Sequence, residues 1–285
     1  MSIITTSDLA DTIETVLESA RFTAKHKAIM RNLSWKIDRT AHKNPQARVP
    51  YWNTVTAGSL TEGVDMANPQ DITDTLVTVT PAEYGCQVLL TDKVVRDDSE
   101  DVIRAAGRIL GDAMELHCDQ LLLAELGDGT NDLGSAGTAT LGHLAAAYAI
   151  LSGVPAPKPY ACVMHPYALL DLVDVFTPII PTTNTSPVTG GSVTDSVLRN
   201  YQIGRLFGVP IYEEGNISTT TGDGGMFSSG EGGGLISVMA KDWEVEPERD
   251  ASLRATELNI VGEYGAGEYL ANYIVELSHD CTTPA

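Results

Sequence analysis

The residues best equipped for chemistry in this chain are its histidines, its cysteines and its close pairs of carboxylates, and their spacing assembles no reaction centre. His165 stands before Pro166, just after the apolar run Tyr160 to Met164, and is the one candidate general base. No nucleophile or orienting partner accompanies it. Cys86, Cys118, Cys162 and Cys281 are far apart and contain no CxxC pair. Neither they nor His117, His143, His165 and His279 have the spacing of a metal site. The thiols read instead as small buried hydrophobes or free cysteines of a reducing compartment. Asp128, Thr130 and Asp132 have a trace of a calcium loop, but Leu133 occupies the position that needs glycine and no closing glutamate follows. The serine-hydrolase elbow, the HExxH zinc motif and the P-loop are all absent from the sequence. The run from Gly222 to Gly234 contains seven glycines but no lysine, and Asp223 and Glu231 would repel phosphate, so a flexible loop is expected there. Gly262, Gly265 and Gly267 are expected to mark a bend or bulge between two strands. Glu83 and the neighbouring pairs Asp97 with Asp98 and Glu213 with Glu214 are what a chain this acidic contains by chance. The expectation is therefore no catalytic residue, no cofactor and no metal, and a chain that is not an enzyme.

The elements that would position such residues are more informative than the residues themselves. From Ser99 to Leu126, Val102, Ala106, Ile109, Ala113 and Leu116 recur at three- and four-residue steps, flanked by Ile103, Leu110, Met114 and Leu121. That is the period of one helix with a broad apolar face. Ser99 can cap it, Glu100 and Asp101 suit its first turn, and Gly127 can end it. About 28 residues at 1.5 Å each make a rod of roughly 42 Å. A mean helix has about 11 to 12 residues, so this one has the length of a spine.

Around the spine, Ser7 to Lys36 reads as loosely amphipathic helix, followed by irregular alternation through His42. Such an arm needs another surface to tie it down. Arg48 to Thr56 and Leu76 to Leu90 have strand character, and the turn-rich Ala57 to Thr73 joins them into a long hairpin. A lone hairpin is marginal in water, so its apolar residues call for contact with another molecule. After the loop Gly127 to Thr140 come a helix Leu141 to Ser152 capped by Thr140, a buried strand Tyr160 to Met164 and a helix from Pro166 to Val173. Thr177 to Thr194 reads as an exposed loop, Val197 to Leu206 as a short helix and Val209 to Tyr212 as a strand. Strand segments then return at Leu235 to Ala240, Trp243 to Glu246, Leu253 to Val261 and Tyr269 to Leu277. The pattern is α+β.

The 285 residues are 43 % hydrophobic and carry a net charge of −20. No run of about 18 apolar residues exists to span a membrane. The acidic start lacks the basic and apolar regions of a signal peptide, so the chain is expected to stay in the cytoplasm where it is made. Charge is unevenly spread: Arg21 to Arg48 holds eight Lys or Arg against the single Asp38. An acidic body argues against sequence-specific nucleic-acid binding, and a basic arm upon it suggests that the arm lies against other copies of the body.

This order of elements resembles the major capsid protein of tailed bacteriophages, which has the HK97 fold. Arg199 to Tyr212 (RNYQIGRLFGVPIY) is similar to the family's passage from helix to strand, and Tyr160 to Leu170 (YACVMHPYALL) to the opening of its axial domain. Leu253 to Asp280 resembles its closing peripheral strands. The resemblance implies an N-terminal arm over 1–47, an extended E-loop over 48–92 and a spine helix of the peripheral domain over 93–134. An axial domain over 135–234 and peripheral strands with the C-terminal segment over 235–285 complete it. It further implies self-assembly through pentamers and hexamers into an icosahedral head in the virion, built in the host cytoplasm around double-stranded DNA that is not read by sequence. A separate scaffolding protein, a portal and a decoration protein are the implied partners, with no membrane. Assembly contacts are expected at Arg31, Trp35, Arg39, Arg48, Tyr51, Trp52, Glu62, Asp65, Asp97, Asp98, Arg199 and Arg205. Some family members crosslink an E-loop lysine to a neighbour, but no lysine lies between Asn44 and Asp92, which removes that chemistry from its usual place. Two alternatives stay open: an encapsulin-like nanocompartment shell, and a soluble α+β enzyme with a pocket near His165.

Overall fold

The structure is a computed structural model, and it describes residues 28–63, 65, 69–97, 102–176, 204–220 and 222–283. The chain opens with α1 (Met30–Leu33), β1 (Trp35–Asp38), β2 (Ala47–Trp52), β3 (Asp74–Val79) and β4 (Ala82–Thr91). Next come α2 (Asp92–Asp97), α3 (Val102–Ala124), β5 (Asn131–Gly137), α4 (Leu141–Gly153), β6 (Tyr160–Met164) and α5 (Pro166–Phe176). The last part holds β7 (Arg205–Leu206), β8 (Val209–Glu213), β9 (Asp223–Ser228), β10 (Leu235–Asp250), β11 (Ala255–Glu268) and β12 (Ile274–His279).

The spine is α3, and it joins two cores. Ala106, Leu110, Met114 and Cys118, each four residues from the last, lie against Leu90, Leu258, Ile260 and Tyr264. Farther along, Leu122, Leu123 and Leu126 enter a second core with Met30, Leu33, Phe227 and Leu235. Ile109, expected on the apolar face, is 46 % exposed, because the buried stripe runs through Leu110 and Met114 instead. The expected cap residues Ser99, Glu100 and Asp101 lie outside the described residues.

Two sheets flank this rod. The first has the order β1-β10-β11-β4, with β1 parallel to β10 and the other pairs antiparallel. The second has the order β5-β12-β9-β6-β8-β7, and α4 and α5 cover it with Leu144, Leu151, Leu169 and Leu172. Thr140 caps α4 as expected, its Oγ1 accepting from the His143 amide at 3.3 Å. The strand Tyr160–Met164 is buried throughout, and Pro166 opens α5.

Several expectations are corrected. The helical reading of Ser7 to Lys36 ends at Leu33, and residues 7–27 lie outside the described residues. Trp35 and Ile37 alternate inward against Ile236 and Val238, which makes this segment a strand. Leu76 to Leu90 is two strands: β3 pairs with β2, while β4, beyond Pro81, pairs with β11. A proline has no amide hydrogen for the ladder, which suits it to the break. Leu235 to Ala240 and Trp243 to Glu246 are one strand with bulges between Met239 and Glu244. The expected helix ending at Leu206 is replaced, over its described part, by a tight hairpin of β7 and β8 that turns at Phe207 and Gly208. Both have positive φ, 53° and 79°. The loop expected over Thr177 to Thr194 lies outside the described residues.

The glycine-rich run is the largest correction. Asp223–Ser228 is β9, an inner strand of the second sheet, antiparallel to both β12 and β6. A Cβ on Gly224 would stand 2.4 Å from the Val163 carbonyl oxygen, so glycine here allows close approach of strands. Gly262, Gly265 and Gly267 likewise lie inside β11, where the Trp243 ring, Pro81 and Val79 press on its backbone.

Candidate assembly surface

The geometry of the hairpin β2–β3 changes along its length. At its base, Ala47 and Val79 are opposite each other, buried, and packed on Ile236 and Val238. Tyr269 clamps this base: its ring meets Trp35 edge-on at 5.6 Å between centroids and Tyr51 at 6.3 Å. Past Trp52 and Asp74 the ladder ends, but the two segments stay together. The Thr56 amide donates to Gln70 Oε1 at 2.8 Å, and Gln70 Nε2 donates to the Thr56 carbonyl at 2.7 Å. The Gln70 side chain thus does for Thr56 what a backbone partner would do in a strand pair.

This projection is apolar where it is exposed. Trp52 is 64 % exposed, Leu60 68 % and Ile72 69 %, with Val55 and Leu76 about half exposed. Exposed apolar patches of this kind are, in general, where proteins bind other molecules. Glu62, Asp65, Asp71 and Asp74 lie on the same extension, with no Lys or Arg between Val49 and Asp92 to balance them.

Opposite in character is the segment leading into the hairpin. The Arg31 guanidinium stands over the Trp243 ring at 5.8 Å. Lys36 Nζ donates to Asn32 Oδ1 at 2.8 Å, and Arg48 donates to Gln46 Oε1 at 3.1 Å. Arg39 reaches only the Asn44 carbonyl, at 3.5 Å. Among the described residues none of these four cations is paired with a carboxylate.

The expected contact residues therefore fall into groups. Trp35, Tyr51 and Trp52 gather at the hairpin base and its exit, with Arg31, Arg39 and Arg48 on the segment beside it. Glu62 and Asp65 are at the tip. Asp97 is elsewhere, on α2, paired with Arg96 at 3.2 Å. Arg205 is on the edge strand β7 beside Lys158, Tyr148 and Phe207. Asp98 and Arg199 lie outside the described residues. Tyr269, Gln70, Val55, Leu60 and Ile72 were missed by sequence reasoning. Isolated apolar residues in a segment with no period were the available signal.

The chemistry-bearing residues have structural surroundings. His165 is buried, and its Nδ1 accepts from the Tyr167 amide at 3.1 Å, at the start of α5. His117 Nδ1 lies 2.5 Å from the Tyr264 hydroxyl, which α3 and β11 bury between them. His143 and His279 are stacked, Nδ1 to Nε2 at 3.1 Å, and burial pushes His279 down to about 4. All four cysteines are free, and burial raises Cys162 to about 12 and Cys118 to about 11, which keeps them as thiols. No group of three potential ligands converges among the described residues.

An extended hairpin, a long spine helix and a second sheet carrying its own helices define an HK97-type shell subunit. The fold is similar to that in the head structure of Helicobacter pylori bacteriophage KHP40, with a TM-score of 0.72 at 11 % identity over 99 % of both chains. A chain of Mycobacterium phage Che8 matches with a TM-score of 0.71 at 19 % identity, over 90 % of this chain and 93 % of that one. A chain of Microbacterium phage Oxtober96 gives 0.70 at 11 % identity, over 98 % and 100 %. No curated protein sequence matches this one. The family model described as "Phage capsid protein" matches residues 75–275, and the chain belongs to that family. It is a structural capsid protein, and its place is the capsid of a virion.

Proposed function

We propose that this chain is the major subunit of an icosahedral phage head, assembling through pentamers and hexamers around double-stranded DNA. The observation that carries the reading is the hairpin, which spends Trp52, Leu60 and Ile72 on solvent in the single subunit. In the shell, the 48–92 extension lies on a second copy and buries them. Each fully buried side chain of this size contributes about 1.5–3 kcal/mol. The acidic tip, Glu62 and Asp65, then meets the unpaired cations Arg31, Arg39 and Arg48 of that copy, while an axial region over 135–234 gathers at the symmetry centres. With no lysine in the extension to crosslink, burial and arm exchange between copies hold the shell. A body this acidic encloses DNA without gripping it. A separate scaffolding protein, a portal and a decoration protein complete the head, which forms in the host cytoplasm.

The test is electron microscopy of the purified protein, alone and with its scaffolding partner, beside size-exclusion chromatography. Shells or rings of five and six subunits are expected. Deleting residues 57–73 abolishes them while the subunit keeps its fold. A folded monomer under both conditions, or shells that survive the deletion, would overturn the reading.

A further inference from the structure

Where the arm meets the spine, two carboxyl groups are buried together. Asp119, in the last third of α3, and Glu214, just after β8, are both fully buried. Asp119 Oδ1 accepts from the backbone amides of Ile29 and Met30, at 3.0 and 2.9 Å. Its Oδ2 accepts from Asn216 Nδ2 at 3.1 Å. Glu214 Oε1 accepts from the Asn216 amide at 3.0 Å. Glu214 Oε2 is buried and has no donor facing it. Two ionised carboxylates cannot share so dry a place, and a proton on Oε2, directed at Asp119, satisfies the one orphaned atom.

We propose that Asp119 and Glu214 share one proton and form a pH-sensitive clasp that fastens the arm, at Ile29 and Met30, to the spine. The charged and titratable groups on the elements packed around it are Arg31 on the arm, Glu115 and Cys118 on α3, Glu213 beside Glu214, and His165 next to the Met164 carbonyl that receives the Glu214 amide. Among charge effects on Glu214 that of Asp119 is the largest. Burial, and then Asp119, hold the Glu214 proton up to about 7. Once the arm lifts and water enters, the same carboxyl returns toward its ordinary range near 4.5. The closed state therefore binds more protons than the open one between those limits. It is tightest below about pH 4.5, loses advantage as pH rises to about 7, and is level above. The clasp is a property of the single subunit and stands whether or not shells form.

Hydrogen exchange of the full chain reads this directly, as the protection of the Ile29 and Met30 amides corrected for intrinsic exchange. Protection is expected to fall at least tenfold between pH 5 and pH 8 and to level off above, while amides of Leu258 and Ile260, in the first sheet, change little. Glu214→Gln keeps a donor toward Asp119 and has no proton to lose, so its protection stays flat over the same range. Asp119→Asn removes the neighbouring charge and shrinks the step, which serves if the glutamine variant fails to fold. A flat wild type, or a Glu214→Gln protein that falls as steeply as the wild type, overturns the proposal.

Discussion

Two segments of this chain are rich in turn residues, and they end in opposite places. Residues 53–63 and 69–73 project from the body and expose Val55, Leu60 and Ile72. Residues 223–228 run through the inside of a sheet, with Met226 and Phe227 at 1 % and 0 % exposure. The difference lies in what surrounds each glycine. Gly58 has nothing within 4 Å of where a Cβ would be, whereas Gly224 would meet the Val163 carbonyl oxygen at 2.4 Å. Glycine in the projection leaves the chain free, and glycine in the sheet makes room for its neighbours. The largest expected effect tests this contrast. Gly224→Ala drives a methyl into backbone that cannot yield and costs at least about 3 kcal/mol, read as a loss of soluble subunit or a large fall in Tm. Gly58→Ala leaves Tm unchanged.

Assembly gives the reverse contrast. Replacing Trp52 and Leu60 together by Ser removes apolar surface that the subunit does not use. Its unfolding free energy should stay within about 0.5 kcal/mol of the parent by chemical denaturation. Shells counted by electron microscopy should disappear. A matching loss of Tm would mean that the projection packs on its own body. Tyr269→Ala works at the boundary between the two regimes. It removes the ring between Trp35 and Tyr51, costs about 1–3 kcal/mol and lets the hairpin swing from its base. Faster exchange of the amides of Ala47–Trp52 is the readout.

Most of the architecture was legible because it rests on period. The spine announced itself through apolar residues every three or four positions, and the strand Tyr160–Met164 through a short apolar run before a proline. The hairpin pointed toward assembly because its apolar residues had no partner segment nearby in the chain. What sequence could not give was burial that depends on distant partners. Gly224 and Gly225 read as loop because the Val163 backbone and Leu126 that surround them are remote in the chain. Trp35 read as helix because its strand partner, Ile236, is equally remote. Asp119 and Glu214 passed as ordinary acidic residues, since only the fold puts both against the arm. Tyr269 carried no local mark at all.

The last effect expected concerns acid and the second sheet. His279 is buried at the end of β12 and stacked on His143, which adds to the desolvation that holds it near 4, against 6.5 in the ordinary state. A lowered histidine binds fewer protons folded than unfolded between these values, so it removes stability as pH falls from about 6.5 to about 4. The ceiling is about 1.4 kcal/mol per pH unit, reached only if nothing else titrates in compensation. Asp171 and Asp132 act on the same ring in the other direction, which keeps the shift, and with it the width of this pH window, smaller than burial and His143 alone would make it. Denaturant unfolding at pH 7, 6, 5 and 4 measures it. His279→Asn, which cannot gain the charge, should flatten the slope in this window even if it lowers stability at pH 7. The arm clasp has the opposite sign over much of the same range, tightening as pH falls. Mild acid should therefore loosen the sheet that carries His279 while fastening the arm to the spine, and exchange at Met30 and at Leu277 should move in opposite directions.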